Sequence, residues 1–325
     1  MTDISELLRV LRGMKGNKLL LPAFFLFVVC VAAAPDLGVV VGDVTHRLAR
    51  VVYWTFVDIN EAETEAGAIF CSVSLFPPVS SMAVLIVEPN NTPQMVELSG
   101  LSSDRAYQMN FHCEGPNSAD IPIETVYFHT QTEEEHNTLS NTFFMSCNRL
   151  AEQEDDVMWK KLQNETSAET STVLVHLGDQ VYADNAIKVF DTVDDQCITY
   201  LDVLKEFRKI YTKTWNNPTM RSVLRHHSHI MLLDDHDVLN NLNSIKWKQT
   251  DPKMRAMIRA GMQSFLEYQQ QLLTPIPSFD FVARSKQATC CIVGSENGKE
   301  NCESELWPAF DGILASLNLW HATRY

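Results

Sequence analysis

Three short apolar runs in this sequence end abruptly in side chains able to bind a cation or move a proton. Phe143-Phe144-Met145 leads into Ser146-Cys147-Asn148-Arg149, and Val173-Leu174-Val175 into His176-Leu177-Gly178-Asp179-Gln180-Val181-Tyr182. Ile230-Met231-Leu232-Leu233 leads into Asp234-Asp235-His236-Asp237, with Asn240-Asn241 close behind. Taken singly, each has a plain structural reading. A Gly-Asp pair is usually a turn, a buried Cys is usually core, and Asp-Asp-His-Asp often satisfies N–H groups at a helix start. At three successive strand ends they read instead as one crevice on which Cys147, Asp179, Tyr182, Asp235 and His236 converge. Carboxylates gathered so closely are costly unless a cation sits among them. Carboxylate and amide oxygens suit hard ions such as Ca²⁺, Mg²⁺ or Mn²⁺, whereas a thiolate and a phenolate suit a stronger Lewis acid such as ferric iron or zinc. The mixture points to a heterometal site. Asp179 would bridge two ions that together acidify a water for attack on phosphorus, and His236 would donate a proton to the leaving oxygen.

The elements that position these residues follow from periodicity. Strands over 142–145, 172–177 and 229–233 alternate with helices over 152–163, 200–214 and 252–273, which argues an α/β unit with at least partly parallel pairing. In such sheets chemistry collects just past the strand C-termini. Residues 36–132 have a different rhythm: short strands over 50–55, 82–87, 94–98, 107–112 and 125–130, separated by Pro, Gly, Asn and Ser, read as a β-sandwich. Trp54 would belong to its core. Leu98-Ser99-Gly100-Leu101 followed by Tyr107 resembles the tyrosine corner of fibronectin type III modules. The polar run Glu133-Glu134-Glu135-His136-Asn137 reads as a solvated linker.

At 325 residues, two domains are expected. The 41 acidic against 26 basic side chains give a net charge of −15, which disfavours nucleic acid as a structural partner. Residues 1–34 carry Arg9, Arg12, Lys15 and Lys18 ahead of a short apolar stretch and Ala32-Ala33-Ala34, the pattern of a secretory signal or signal anchor. The protein is therefore expected to be secreted or extracytoplasmic, with a membrane as partner only if the leader stays uncleaved. Of eight Cys, Cys30 leaves with the leader; the odd remainder, Cys71, Cys113, Cys147, Cys197, Cys290, Cys291 and Cys302, implies that at least one does not pair internally. Cys71 and Cys113 could bridge within the first domain. Asn164-Glu165-Thr166 is a glycosylation sequon in an exported chain.

The motifs Ser146-Cys147, Gly178-Asp179-Gln180-Val181-Tyr182 and Asp234-Asp235-His236-Asp237 with Asn240-Asn241 run in the order of the PhoD-like, alkaline phosphatase D branch of the calcineurin-like metallophosphoesterases, and the chain resembles that family over roughly residues 38–280. The resemblance implies a multi-domain architecture: a fibronectin III-like β-sandwich (36–132) followed by an incomplete α/β, αββα-type metallophosphoesterase domain (138–286). It further implies that Cys147, Asp179 and Tyr182 hold ferric iron and that Asp179 also touches calcium or another divalent cation. Asp235 then takes a metal-ligand position, with Asn240 or Asn241 as further ligand and His236 as the catalytic histidine. Arg149 would meet the phosphate of a mono- or diester substrate, although a surface salt bridge explains it equally well. Residues 287–325 do not resemble the family's continuation, and later ligands such as a Gly-Asp-x-His-like segment have no counterpart after Asn243. A C-terminally truncated phosphoesterase, crippled in this form and poorly soluble or inactive, is expected. The competing reading is a non-catalytic secreted binding protein that uses the sandwich. A serine hydrolase is disfavoured because no Gly-x-Ser-x-Gly elbow is present.

Overall fold

A computed structural model describes residues 36–56, 69–79, 84–87, 92–114, 124–133, 141–150, 156–166, 171–189, 197–243, 252–276 and 291–293. The expected leader (1–34) and nearly all of the expected tail (287–325) lie outside them, as do residues 134–137 of the expected linker.

The N-terminal part contains β1 (Asp36–Val44), β2 (Leu48–Phe56), β3 (Ile69–Phe76), β4 (Val84–Val87), β5 (Gln94–Ser99), β6 (Ala106–Glu114) and β7 (Glu124–His129). Antiparallel pairing orders them β1-β2-β5 in one sheet and β4-β3-β6-β7 in another. Leu37, Val39, Val41, Ala49, Val51 and Tyr53 face Val73, Met109, Phe111, Val126 and Phe128 across the interior. A Cys71–Cys113 disulfide joins the neighbouring strands β3 and β6. The Tyr107 hydroxyl accepts the Ser102 N–H at 2.8 Å, pinning the turn before β6.

Strands β1 and β2 of the sheet β1-β2-β5 are buried on both faces. Alternate residues Val40, Val52 and Trp54 point away from the sandwich interior into a second core, shared with the helices that follow. Trp54 thus lies on the face opposite to the one expected, packed against Trp215 at 5.8 Å and Tyr268 at 5.3 Å between centroids. A strand buried on both sides shows a continuous apolar run instead of alternation, which is why Val39-Val40-Val41 carries no period-two signal and β1 was not expected. Strand β3 was also not expected, although Cys71, Val73 and Leu75 alternate with Ser72 and Ser74.

The second part runs β8 (Asn141–Met145), α1 (Val157–Glu165), β9 (Thr172–His176), α2 (Asp184–Lys188), β10 (Ile198–Thr199), α3 (Tyr200–Trp215), α4 (Pro218–Leu224), β11 (Ser228–Met231), α5 (Pro252–Tyr268) and β12 (Cys291–Val293). Strands β8, β9 and β11 form a parallel sheet ordered β11-β9-β8. Strand β12 pairs with β10. Helix α3 is started by a Thr199–Asp202 capping box and α4 by Asn217 with Pro218 in its first turn. The helix expected over 252–273 closes at Tyr268 and continues as a 3-10 turn, Gln270–Leu272. Helices α3 and α5 are clamped by a buried pair: Arg208 donates to both Glu267 oxygens at 2.8 and 2.7 Å. One face of the parallel sheet (Leu174, His176, His229, Met231) is core, whereas Phe144, Leu177 and Leu232 on the other are exposed. No helix among the described residues is long and apolar enough to cross a membrane.

Candidate metal centre

The site forms where the three parallel strands end. Leu177 N–H donates to Met145 O at 2.7 Å and Leu232 N–H to His176 O at 3.0 Å, so the strand pairing continues to the point where the loops diverge. Asn148 N–H then donates to Asp179 O at 2.8 Å, tying the first loop to the second. At that junction the backbone turns left-handed at Cys147 (φ 59°), Gly178 (φ 108°) and Asp179 (φ 57°), and again at Asn241 (φ 56°). L-residues adopt that region at a cost, and three of these four bear side chains expected at the site. Gly178 is required twice over: its φ lies beyond the usual left-handed well, and a Cβ there would overlap the Cβ of Asp234.

One ligand atom each from Asp179, Asp235 and His236 lies within 4.8 Å of the others. Cys147 Sγ is 3.6 Å and the Tyr182 hydroxyl 3.5 Å from Asp179 Oδ2. The structure therefore gathers Asp179, Asp235 and His236, with Cys147 and Tyr182 beside the Asp179 carboxylate. Arg149 stands with its guanidinium carbon 5.0 Å from the centre of the Tyr182 ring. Asn240 and Asn241 donate backbone N–H groups to the carboxylates of Asp184 and Asp235 respectively.

The electrostatics are those of a crowded anionic pocket. Burial, then Asp234 and Asp235, push the Asp179 carboxyl above the ordinary range, with His236 opposing. Burial, with Asp179 and Cys147 beside it, lifts the Tyr182 phenol to about 12. For His236 burial is the largest influence and lowers the pKa; the hydrogen bond and charge of Asp184, aided by Asp235 and Asp179, outweigh it and hold the imidazole above its usual value. A thiol, a phenol, an imidazole and two carboxylates facing one point, one carboxylate buried among other anions, fit a cation.

Sequence reasoning did not single out three residues that build this site. Asp184, on the first turn of α2, accepts from His236 Nδ1 at 2.7 Å, and His236 stacks on Tyr182 with centroids 4.3 Å apart. Its signal was position alone, two residues after Tyr182. Asn148 receives the Trp159 indole N–H at 3.1 Å and donates to Gln180 O at 3.0 Å. Asp237 is fully buried and takes hydrogen bonds from both loops. The Asp-Asp-His-Asp run serves two ends: Asp234 and Asp237 cap the 3-10 turn, while Asp235 and His236 face the site.

Residues 142–282 match the family model described as PhoD-like phosphatase. The matched segment contains all three of the strand ends that form the site. Among solved structures the chain is similar to one of PhoD, with 17% identity and a TM-score of 0.54, covering 74% of this chain and 47% of that one. It is also similar to the purple acid phosphatase PPD1 from yellow lupin (Lupinus luteus) seeds, with 10% identity and a TM-score of 0.40, over 75% of this chain and 40% of that one. The fn3 domain of human collagen alpha-1(XX) gives 18% identity and a TM-score of 0.22, over 39% of this chain and 96% of that domain. No curated protein matches. The chain spans about half the length of the PhoD structure.

Proposed function

We propose that this chain is an exported, metal-dependent phosphoesterase acting on phosphate mono- or diesters. The observation that carries the reading is the convergence of Cys147, Asp179, Tyr182, Asp235 and His236 at the ends of three parallel strands within a PhoD-like segment. Cys147, Asp179 and Tyr182 would hold a ferric ion; Asp179 and Asp235, with an amide of Asn240 or Asn241, would hold a calcium-type ion. Such cations supply Lewis-acid chemistry, acidifying water and offsetting charge on phosphoryl oxygens. The remaining work falls to the chain. His236, its pKa raised by Asp184, would offer a proton from its other ring nitrogen to a leaving oxygen. Arg149, at the mouth beside Tyr182, binds the phosphate. Export is supported by the Cys71–Cys113 disulfide and by a disulfide at Cys197, since such bonds persist in oxidising compartments. The strand order β1-β2-β5 against β4-β3-β6-β7 and the Tyr107 hydrogen bond support a fibronectin III-like sandwich.

The test is hydrolysis of p-nitrophenyl phosphate and bis-p-nitrophenyl phosphate with added Ca²⁺ and iron, together with elemental analysis. Wild type should retain iron and turn over ester, and Cys147→Ser and Asp179→Asn should lose both. A wild-type protein that takes up no metal would favour the binding-protein reading and overturn this one.

A further inference from the structure

Asp179 and Asp235 come from different strands, and Asp179 sits in a backbone conformation that aspartate disfavours, so something must fix the loops relative to each other. Asp237 does not belong to the converging group. Its carboxylate is completely buried and accepts five hydrogen bonds. Oδ2 accepts the N–H groups of Asp179 and Asp234, each at 3.1 Å. Oδ1 accepts those of Gln180 at 2.9 Å and Val181 at 3.3 Å, and the Gln269 side-chain amide at 3.0 Å. Three successive backbone N–H groups beside a left-handed residue form the kind of concavity that ordinarily takes an external anion. Here the protein fills it with its own carboxylate. The same amide of Gln269 also meets the Tyr211 hydroxyl at 2.8 Å, and Tyr211 stacks on Tyr268 at 4.4 Å.

From this geometry we infer that Asp237 is a positioning residue for the cation centre: its carboxylate, held by Gln269, locks the 178–181 loop to the Asp234–His236 turn and so sets the Asp179-to-Asp235 spacing. The functional consequence rests on the metal-dependent reading above, but the clamp itself does not.

Asp237→Asn is nearly isosteric and turns one acceptor oxygen into a donor facing donors. Amide hydrogen exchange on metal-free protein should accelerate roughly tenfold at residues 179–181 while the β9 amides stay protected. Mn²⁺ affinity by calorimetry should fall about 10- to 100-fold, as for other residues that orient ligands. A purely stabilising residue would lower the melting temperature without changing either readout in the folded protein, and that result would overturn the inference. If Asp237→Asn does not fold, Gln269→Leu removes only one of the five donors. Faster exchange at 179–181 in that variant supports the clamp, and unchanged exchange refutes it. If wild type binds no Mn²⁺, the metal reading fails and the exchange data alone decide the role of Asp237.

Discussion

His236 and Asp184 form the pair whose removal separates proton handling from cation binding. Asp184→Asn keeps the shape and one acceptor but removes the charge that raises the pKa of the imidazole. Hydrolysis of p-nitrophenyl phosphate should fall by about 10²-fold, with bound metal unchanged by elemental analysis; parallel loss of metal would instead make Asp184 part of the cation site. The sequence made Cys147, Asp179, Tyr182, Asp235 and His236 legible because they recur at three successive strand ends, although each alone has a plain structural reading. Asp184 was not, because an acid in a helix's first turn already has a sufficient reason to be there. Asp237 was masked by the same capping logic, which it also obeys. Gln269 had no local signal: its link to Asp237 exists only once α5 is packed.

At the level of elements, the alternation of strands and helices was readable in the second part because amphipathic α3 and α5 have capped or Pro-bearing starts. Strands buried on both faces were not, since burial removes the periodicity that betrays a strand. The inner face of the parallel sheet carries a histidine chain that makes a testable demand. His229 Nε2 faces Val223 O at 3.3 Å, so its Nδ1 is left to accept the Nε2–H of His176 at 2.9 Å. The His229 ring is thereby neutral. Burial lowers His176 to about 4, and burial with the neighbouring His226 lowers His227 to about 4. Burial, with His176 and His227, takes His229 well down. Neutral rings in the fold and a usual value near 6.5 in the unfolded chain mean that stability is full above pH 6.5 and declines as pH falls towards 4. Between pH 8 and pH 5, a ring lowered to about 4 should contribute about 2 kcal/mol in favour of pH 8 to the stability read by chemical denaturation. His176→Gln should reduce the pH dependence relative to wild type by about that amount, and an unchanged dependence in the variant would show that His176 does not contribute to it.

For the whole molecule, the sheet β1-β2-β5 is a shared wall. Val40, Val52 and Trp54 complete the core that holds Tyr211, Trp215 and Tyr268, and Ser228 Oγ donates to Gly42 O at 2.9 Å across the same junction. Arg221 reaches over to Glu124 at 2.6 Å and Leu37 O at 2.8 Å. A linker and two independently buried units were the natural reading of the change in rhythm after residue 132, yet the packing makes the first unit part of the second's interior. Expression of residues 138–286 alone should therefore yield insoluble or molten protein, with weak near-ultraviolet circular dichroism; a cooperative melt from that fragment would show the wall to be dispensable. The opposite side of the parallel sheet carries a different consequence. Phe144 at 67%, Leu177 at 49% and Leu232 at 46% exposure present one apolar surface to water beside the site. The isolated chain should bind anilinonaphthalene sulfonate and self-associate as its concentration rises, and Phe144→Thr should weaken both without lowering the melting temperature. Handling conditions would then shape any apparent assay result, because a chain that sticks to itself through that surface hides the entrance to its own site.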